Sequence, residues 1–204
     1  MELEEALARV SEIRLQIART ESFRGYRAAT AAFSSLVALA AAAIQTIAIS
    51  DPAADPQRYL LLWIVAAMIS VAVTGVEMTV RCRRSASPTA ARLTWLAVEQ
   101  FLPCTIVGAV LTTVLALAAP EGLWMLPGLW GLVFSLGVFA SCRLLPRPMF
   151  WVALYYLACG AGSLGLARGT SAYTPWTMAI TFGGGQLLTA IVLYVTLERN
   201  HGRQ

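Results

Sequence analysis

Six long apolar segments run through this chain, and nearly all of its cationic side chains fall on one side of them. The segments cover residues 28–50, 59–80, 93–119, 122–142, 149–167 and 173–197, each at least 19 residues long. A helix needs about 20 apolar residues to cross a bilayer. Four segments carry no charge, and the other two carry one each, Glu77 and Glu99. A spanning strand would need only ~10 residues of alternating polarity, and that alternation is missing. The expected fold is therefore all-α: a polytopic membrane protein of six transmembrane helices.

The arginines orient it. The chain has 15 Arg and no Lys. If every segment crosses once, 13 of them share a side: the five between Arg9 and Arg27, then Arg81, Arg83, Arg84, Arg92, Arg143, Arg147, Arg199 and Arg203. Only Arg58 and Arg168 fall opposite. Positive charge in short loops stays cytoplasmic, so both termini are expected in the cytoplasm and the chain in a bacterial inner membrane. Topology accounts for the net charge of +4, and no nucleic-acid partner is expected. Trp63, Trp95, Trp124, Trp151 and Trp176 lie close to segment ends, where tryptophan favours the headgroup region.

Residues 1–27 precede the first span and hold five Glu and five Arg. They contain no apolar stretch of the kind found in a secretory leader. Leu3, Ala6, Leu7, Val10, Ile13 and Ile17 recur at three- and four-residue steps, which predicts a cytoplasmic amphipathic helix over 2–20. Two roles stand open for it besides packing on its own loops: self-association or docking of a cytoplasmic protein partner, and adsorption to the lipid bilayer. The domain reading is 1–27 helix and linker, 28–197 membrane domain, 198–204 cytoplasmic tail.

Chemistry inside the membrane is sparse. Glu99, Gln100, Pro103 and Thr105 form the richest polar run within a span. An intramembrane carboxylate is costly and is expected to face protein or water. The last span contains Gly183, Gly184 and Gly185, followed by Gln186. Three glycines weaken a helix by about 1 kcal/mol each relative to alanine and permit close backbone approach. Glu99, Gln100 and Gln186 are thus the candidate ligand or ion contacts, and Gly183–Gly185 candidate packing positions. Ala161 and Gly165 form a second small-residue face. Residues 160–165 match a dinucleotide-binding glycine pattern, but within a span and after no strand. The single histidine, His201, rules out a bis-histidine haem. Scattered cysteines make no zinc pattern. No catalytic residues, metal or cofactor are expected.

The N-terminal third carries Glu12-Ile13-Arg14, Ile17-Ala18-Arg19, Phe23 and the alanine run 38–43, and the chain ends on an aromatic and basic stretch at 194–199. In this it resembles an uncharacterised family of bacterial six-span integral membrane proteins, often encoded beside a winged-helix regulator. It departs at the linker, where Arg24 and Tyr26 stand in place of a small apolar run. The resemblance implies a sensing or regulatory setting and brings no catalytic residues. Two functions follow as expectations. The first is a non-enzymatic regulatory, sensory or scaffolding membrane component. The second is a small-solute or proton-coupled transporter or channel with its site near Glu99, Gln100 and 183–186.

Overall fold

A computed structural model describes residues 28–84, 88–142 and 145–198. The expected amphipathic helix over 2–20 and the tail beyond 198 lie outside the described residues. Six helical stretches there are long and apolar enough to cross a membrane: Ala28–Ala48, Pro56–Val80, Val98–Ala118, Pro120–Ser141, Met149–Leu166 and Pro175–Thr196. The chain is all-α and is a multi-pass membrane protein.

Helix α1 is Ala28–Ala48, α2 Pro56–Arg84, α3 Pro88–Ala118, α4 Leu126–Ser141 and α5 Met149–Leu166. The fourth span enters through a 3₁₀ turn, Pro120–Met125, and a second 3₁₀ turn, Gly169–Tyr173, precedes the sixth. The sixth span is composite: α6 (Pro175–Met178), a π-helical turn (Ala179–Gly184), α7 (Gly185–Leu193) and a final π turn (Tyr194–Glu198).

Prolines open helices here rather than only separating them. Proline suits the first helical position because its missing N–H would have no partner there anyway. Pro56 and Pro88 each start a helix, so α2 and α3 reach well into what the sequence reads as loops. Asp55 caps α2: its Oδ1 accepts the Arg58 amide at 3.2 Å, and its Oδ2 pairs with Arg58 Nε at 3.1 Å. Asp51 Oδ1 likewise accepts the amides of Ala53 and Ala54 at 3.0 and 3.2 Å, folding the short connection between α1 and α2. Within α3, Pro103 stays inside a continuous helix.

The first span shows how lipid inverts the usual pattern. Its buried residues are Ala28, Thr30, Ala31, Ser34, Ser35, Ala38, Ala41, Ala42 and Gln45, a stripe of small and polar side chains at helical spacing. Phe33, Leu36, Ile44 and Ile47 face outward. Hydrocarbon is as apolar as leucine, so nothing drives large side chains inward, and small residues win the interface by letting backbones approach.

The sixth span is the hub. It packs on α1 along most of its length and also on α5. The tightest pair is α4 with α5, seamed by glycine: a Cβ on Gly160 would lie 2.8 Å from both the Gly128 carbonyl oxygen and the Leu132 nitrogen. The third span leans on α4, touches α2 lightly, and buries none of its apolar window.

This seam differs from the expected one. Ala161 is exposed, and Gly165 has open space where a Cβ would go. The packing on α5 falls one residue earlier, at Gly160. Gly169 serves as a turn, with φ of 59°, a conformation a side chain would strain. Replacing Gly160 with alanine forces backbone apart and should cost about 1–3 kcal/mol, whereas Gly165→Ala should leave stability unchanged or raise it by up to about 1 kcal/mol. Thermal unfolding of both variants in detergent checks the contrast; equal midpoints for the two would contradict the seam.

Candidate functional site

Three of the sequence candidates do not meet. Ala118 ends α3 and Glu99 lies 19 residues before it, about 28 Å along the axis at ~1.5 Å per residue. A hydrocarbon layer of ~30 Å therefore places Glu99 near the edge of the layer farther from Ala118, shallower than its position in an apolar run suggests. The helix extends back to Pro88. Glu99 is exposed, while Gln100, one step round the helix, is half-buried. The Gln100 Oε1 is buried and has no hydrogen-bond partner among the described residues. Gln186 is half-buried and has an interaction partner. Its helix, α7, packs chiefly on α1, whereas α3 packs on α4.

Aromatic rings fill the region between those elements. The Phe134 centroid lies 5.1 Å from Phe101, 4.6 Å from Tyr156 and 5.6 Å from Phe182. Phe101 also covers Gly137, whose missing side chain makes room for its ring. The Phe101 and Phe182 contacts are edge to face, a geometry favourable for aromatic pairs at these separations.

The glycine run in the sixth span works differently from an unwound break. The helix continues through it, widened into a π turn over Ala179–Gly184. Each glycine admits a different neighbour: Leu39 lies 3.0 Å from where a Gly183 Cβ would stand, Tyr155 crowds Gly184, and Tyr156 crowds Gly185. Carbonyls along the widened turn receive side-chain donors from other spans. Ser35 Oγ donates to the Gly183 carbonyl at 2.7 Å, and the Tyr155 hydroxyl donates to that of Ile180 at 2.7 Å. Thr181 donates back to Thr177 at 2.7 Å. The turn lies roughly 12 Å below the start of the span at Pro175, about mid-bilayer by helical rise.

A second polar centre, not among the sequence candidates, sits near the opposite membrane edge from Glu99. Gln45 is fully buried, three residues before the end of α1. Its Nε2 donates to the Tyr173 carbonyl at 2.6 Å, and its Oε1 accepts the Trp63 indole N–H at 2.9 Å. One amide thus ties α1, α2 and the 3₁₀ turn before the sixth span. Tyr59, also fully buried, sets its ring 5.0 Å from that of Tyr173, edge to face. Burial raises the Tyr173 phenol above its ordinary range, so it stays neutral at physiological pH. The sequence signal was present: Gln45 is the sole amide in a span otherwise built of alanine, aliphatics and hydroxyls. Trp63, grouped by sequence with interfacial tryptophans, is instead a core residue at 3% exposure, because its N–H finds this partner.

Among the described residues, no three histidine, cysteine or carboxylate side chains come together. No protein-family model matches the chain, and neither a curated protein nor a solved structure matches it.

Gln45→Leu removes both bonds of the clamp and orphans a buried indole N–H and a carbonyl. Each orphan costs about 1–3 kcal/mol, so a loss of roughly 2–6 kcal/mol is expected in detergent unfolding. Equal stability of parent and leucine variant would show that the clamp does not hold this end of the bundle together.

Proposed function

We propose that this chain is a non-enzymatic membrane component with a regulatory, sensory or scaffolding role, and that its protein contacts run through residues 2–20. The packed centre carries this reading. A solute path joining Glu99 and Gln100 to the 183–186 stretch would cross the ground held by Phe101, Phe134 and Phe182. The π-turn carbonyls at Ile180 and Gly183, which a transport site would offer to a cation, already accept donors from Tyr155 and Ser35. Family kinship and a neighbouring winged-helix regulator stay part of the proposal through the resemblance at residues 12–43.

Deletion of residues 2–20 tests it. The truncated protein should keep the parent's unfolding midpoint in detergent yet lose mass by light scattering, or lose its cross-linked partner in native membranes. Unchanged association would refute the role given to this segment. In proteoliposomes, proton-gradient dissipation read by an internal pH dye should be the same for the parent, Glu99→Gln and empty vesicles. Flux abolished by Glu99→Gln would establish transport instead.

A further inference from the structure

A pocket of about 320 Å³ opens between the α1–α2 connection and the 3₁₀ turn before the sixth span. Asp51, Ser50 and Thr170 supply oxygens at its walls, Ile49, Pro175 and Tyr173 supply apolar surface, and Gln45 lies at its base. Its volume falls at the small end of ligand sites, which run from about 300 to 1,000 Å³.

Asp51 is the one charged residue among those lining the pocket, and Arg168 precedes the lining Thr170 by two residues. The arginine of the same connection, Arg58, is engaged by Asp55. Asp51 makes no ion pair among the described residues, and its hydrogen bonds to the backbone use Oδ1, leaving Oδ2 for a ligand. The walls otherwise offer hydroxyl oxygens and the Tyr173 ring, whose face attracts cations.

The buried amide beneath has capacity to spare. A glutamine amide has two donor hydrogens and two acceptor lone pairs, and the bonds Gln45 makes to Tyr173 and Trp63 use one of each.

We propose that this pocket binds an alkylammonium group, the cation on the Asp51 carboxylate and its carbon chain against Ile49, Pro175 and Tyr173. The arginine distribution would put the site on the extracytoplasmic face, at headgroup depth. The ammonium comes either from a soluble amine or from a phosphatidylethanolamine headgroup. The site gives the sensory reading its input, yet it stands on the pocket alone, so loss of ligand binding and loss of the contact through residues 2–20 are separate results.

The test uses the full chain in maltoside micelles, with propylammonium as probe and propionate as control at equal ionic strength. Saturation-transfer NMR should show contact with propylammonium and none with propionate. Asp51→Asn keeps the oxygen that accepts the Ala53 and Ala54 amides, so the connection stays folded, and it should weaken propylammonium about tenfold. Thr170→Val should weaken it less, with an unchanged unfolding midpoint. Repeating the titration in nanodiscs separates the sources. Loss of propylammonium binding with phosphatidylethanolamine, but not with phosphatidylglycerol, identifies the headgroup as occupant; binding retained in both identifies a soluble amine. Absence of transfer from propylammonium in micelles, equal transfer from propionate, or indifference to Asp51→Asn would overturn the proposal.

Discussion

A backbone carbonyl freed inside a bilayer has no water to turn to, so another part of the protein must supply its donor. The architecture of this molecule follows from that constraint. The sixth span carries three consecutive glycines and widens into a π turn, a geometry that disturbs the regular helical ladder. Ser35 and Tyr155 complete it from the first and fifth spans, so the span with three consecutive glycines becomes the one its neighbours gather around. The glycines serve both ends of this arrangement. They lower the cost of departing from α geometry, and they let Leu39, Tyr155 and Tyr156 come close enough to fix the result.

The two ends of the bundle are built differently. Toward the edge where the α1–α2 connection lies, one buried amide and a set of aromatic rings lock α1, α2 and the final 3₁₀ turn together. The buried face of α2 runs through Tyr59, Leu60, Trp63 and Ala66 and then stops, so α2 leaves the bundle's packed centre toward the other edge, while α3 keeps Phe101 against it. A core there forms instead from Val138, Met149, Val152, Ala153, Tyr156 and Leu193, with Phe182 packed against both clusters. Stability is thus concentrated along the first, fourth, fifth and sixth spans, with α3 held mainly on one side.

Segment length and hydropathy made the six-helix plan legible in the sequence, because bilayer thickness leaves few alternatives. Which small residues would pack was not legible. Gly160 and Gly165 look alike on one helix, and only the neighbour opposite, Gly128 rather than lipid, distinguishes them. Trp63 was misplaced for a related reason: hydropathy puts a tryptophan near a span end at the interface, whereas its partner, Gln45, is 18 positions earlier. Glu99 read as an intramembrane charge because the segment around it was counted from Leu93; counting the helical rise back from the end of α3 at Ala118 moves it to the edge. Composition gives the span, while the partner of a polar group depends on tertiary contacts that a single sequence does not display.

The central claim is that a side chain of the first span holds a carbonyl of the sixth. Infrared spectroscopy with a ¹³C=¹⁸O label at the Gly183 carbonyl reads that bond directly in the intact protein. The account predicts a band that moves to higher frequency in Ser35→Ala, as a hydrogen bond is lost, and stays in place in Ser34→Ala. An identical band in parent and Ser35→Ala would contradict it.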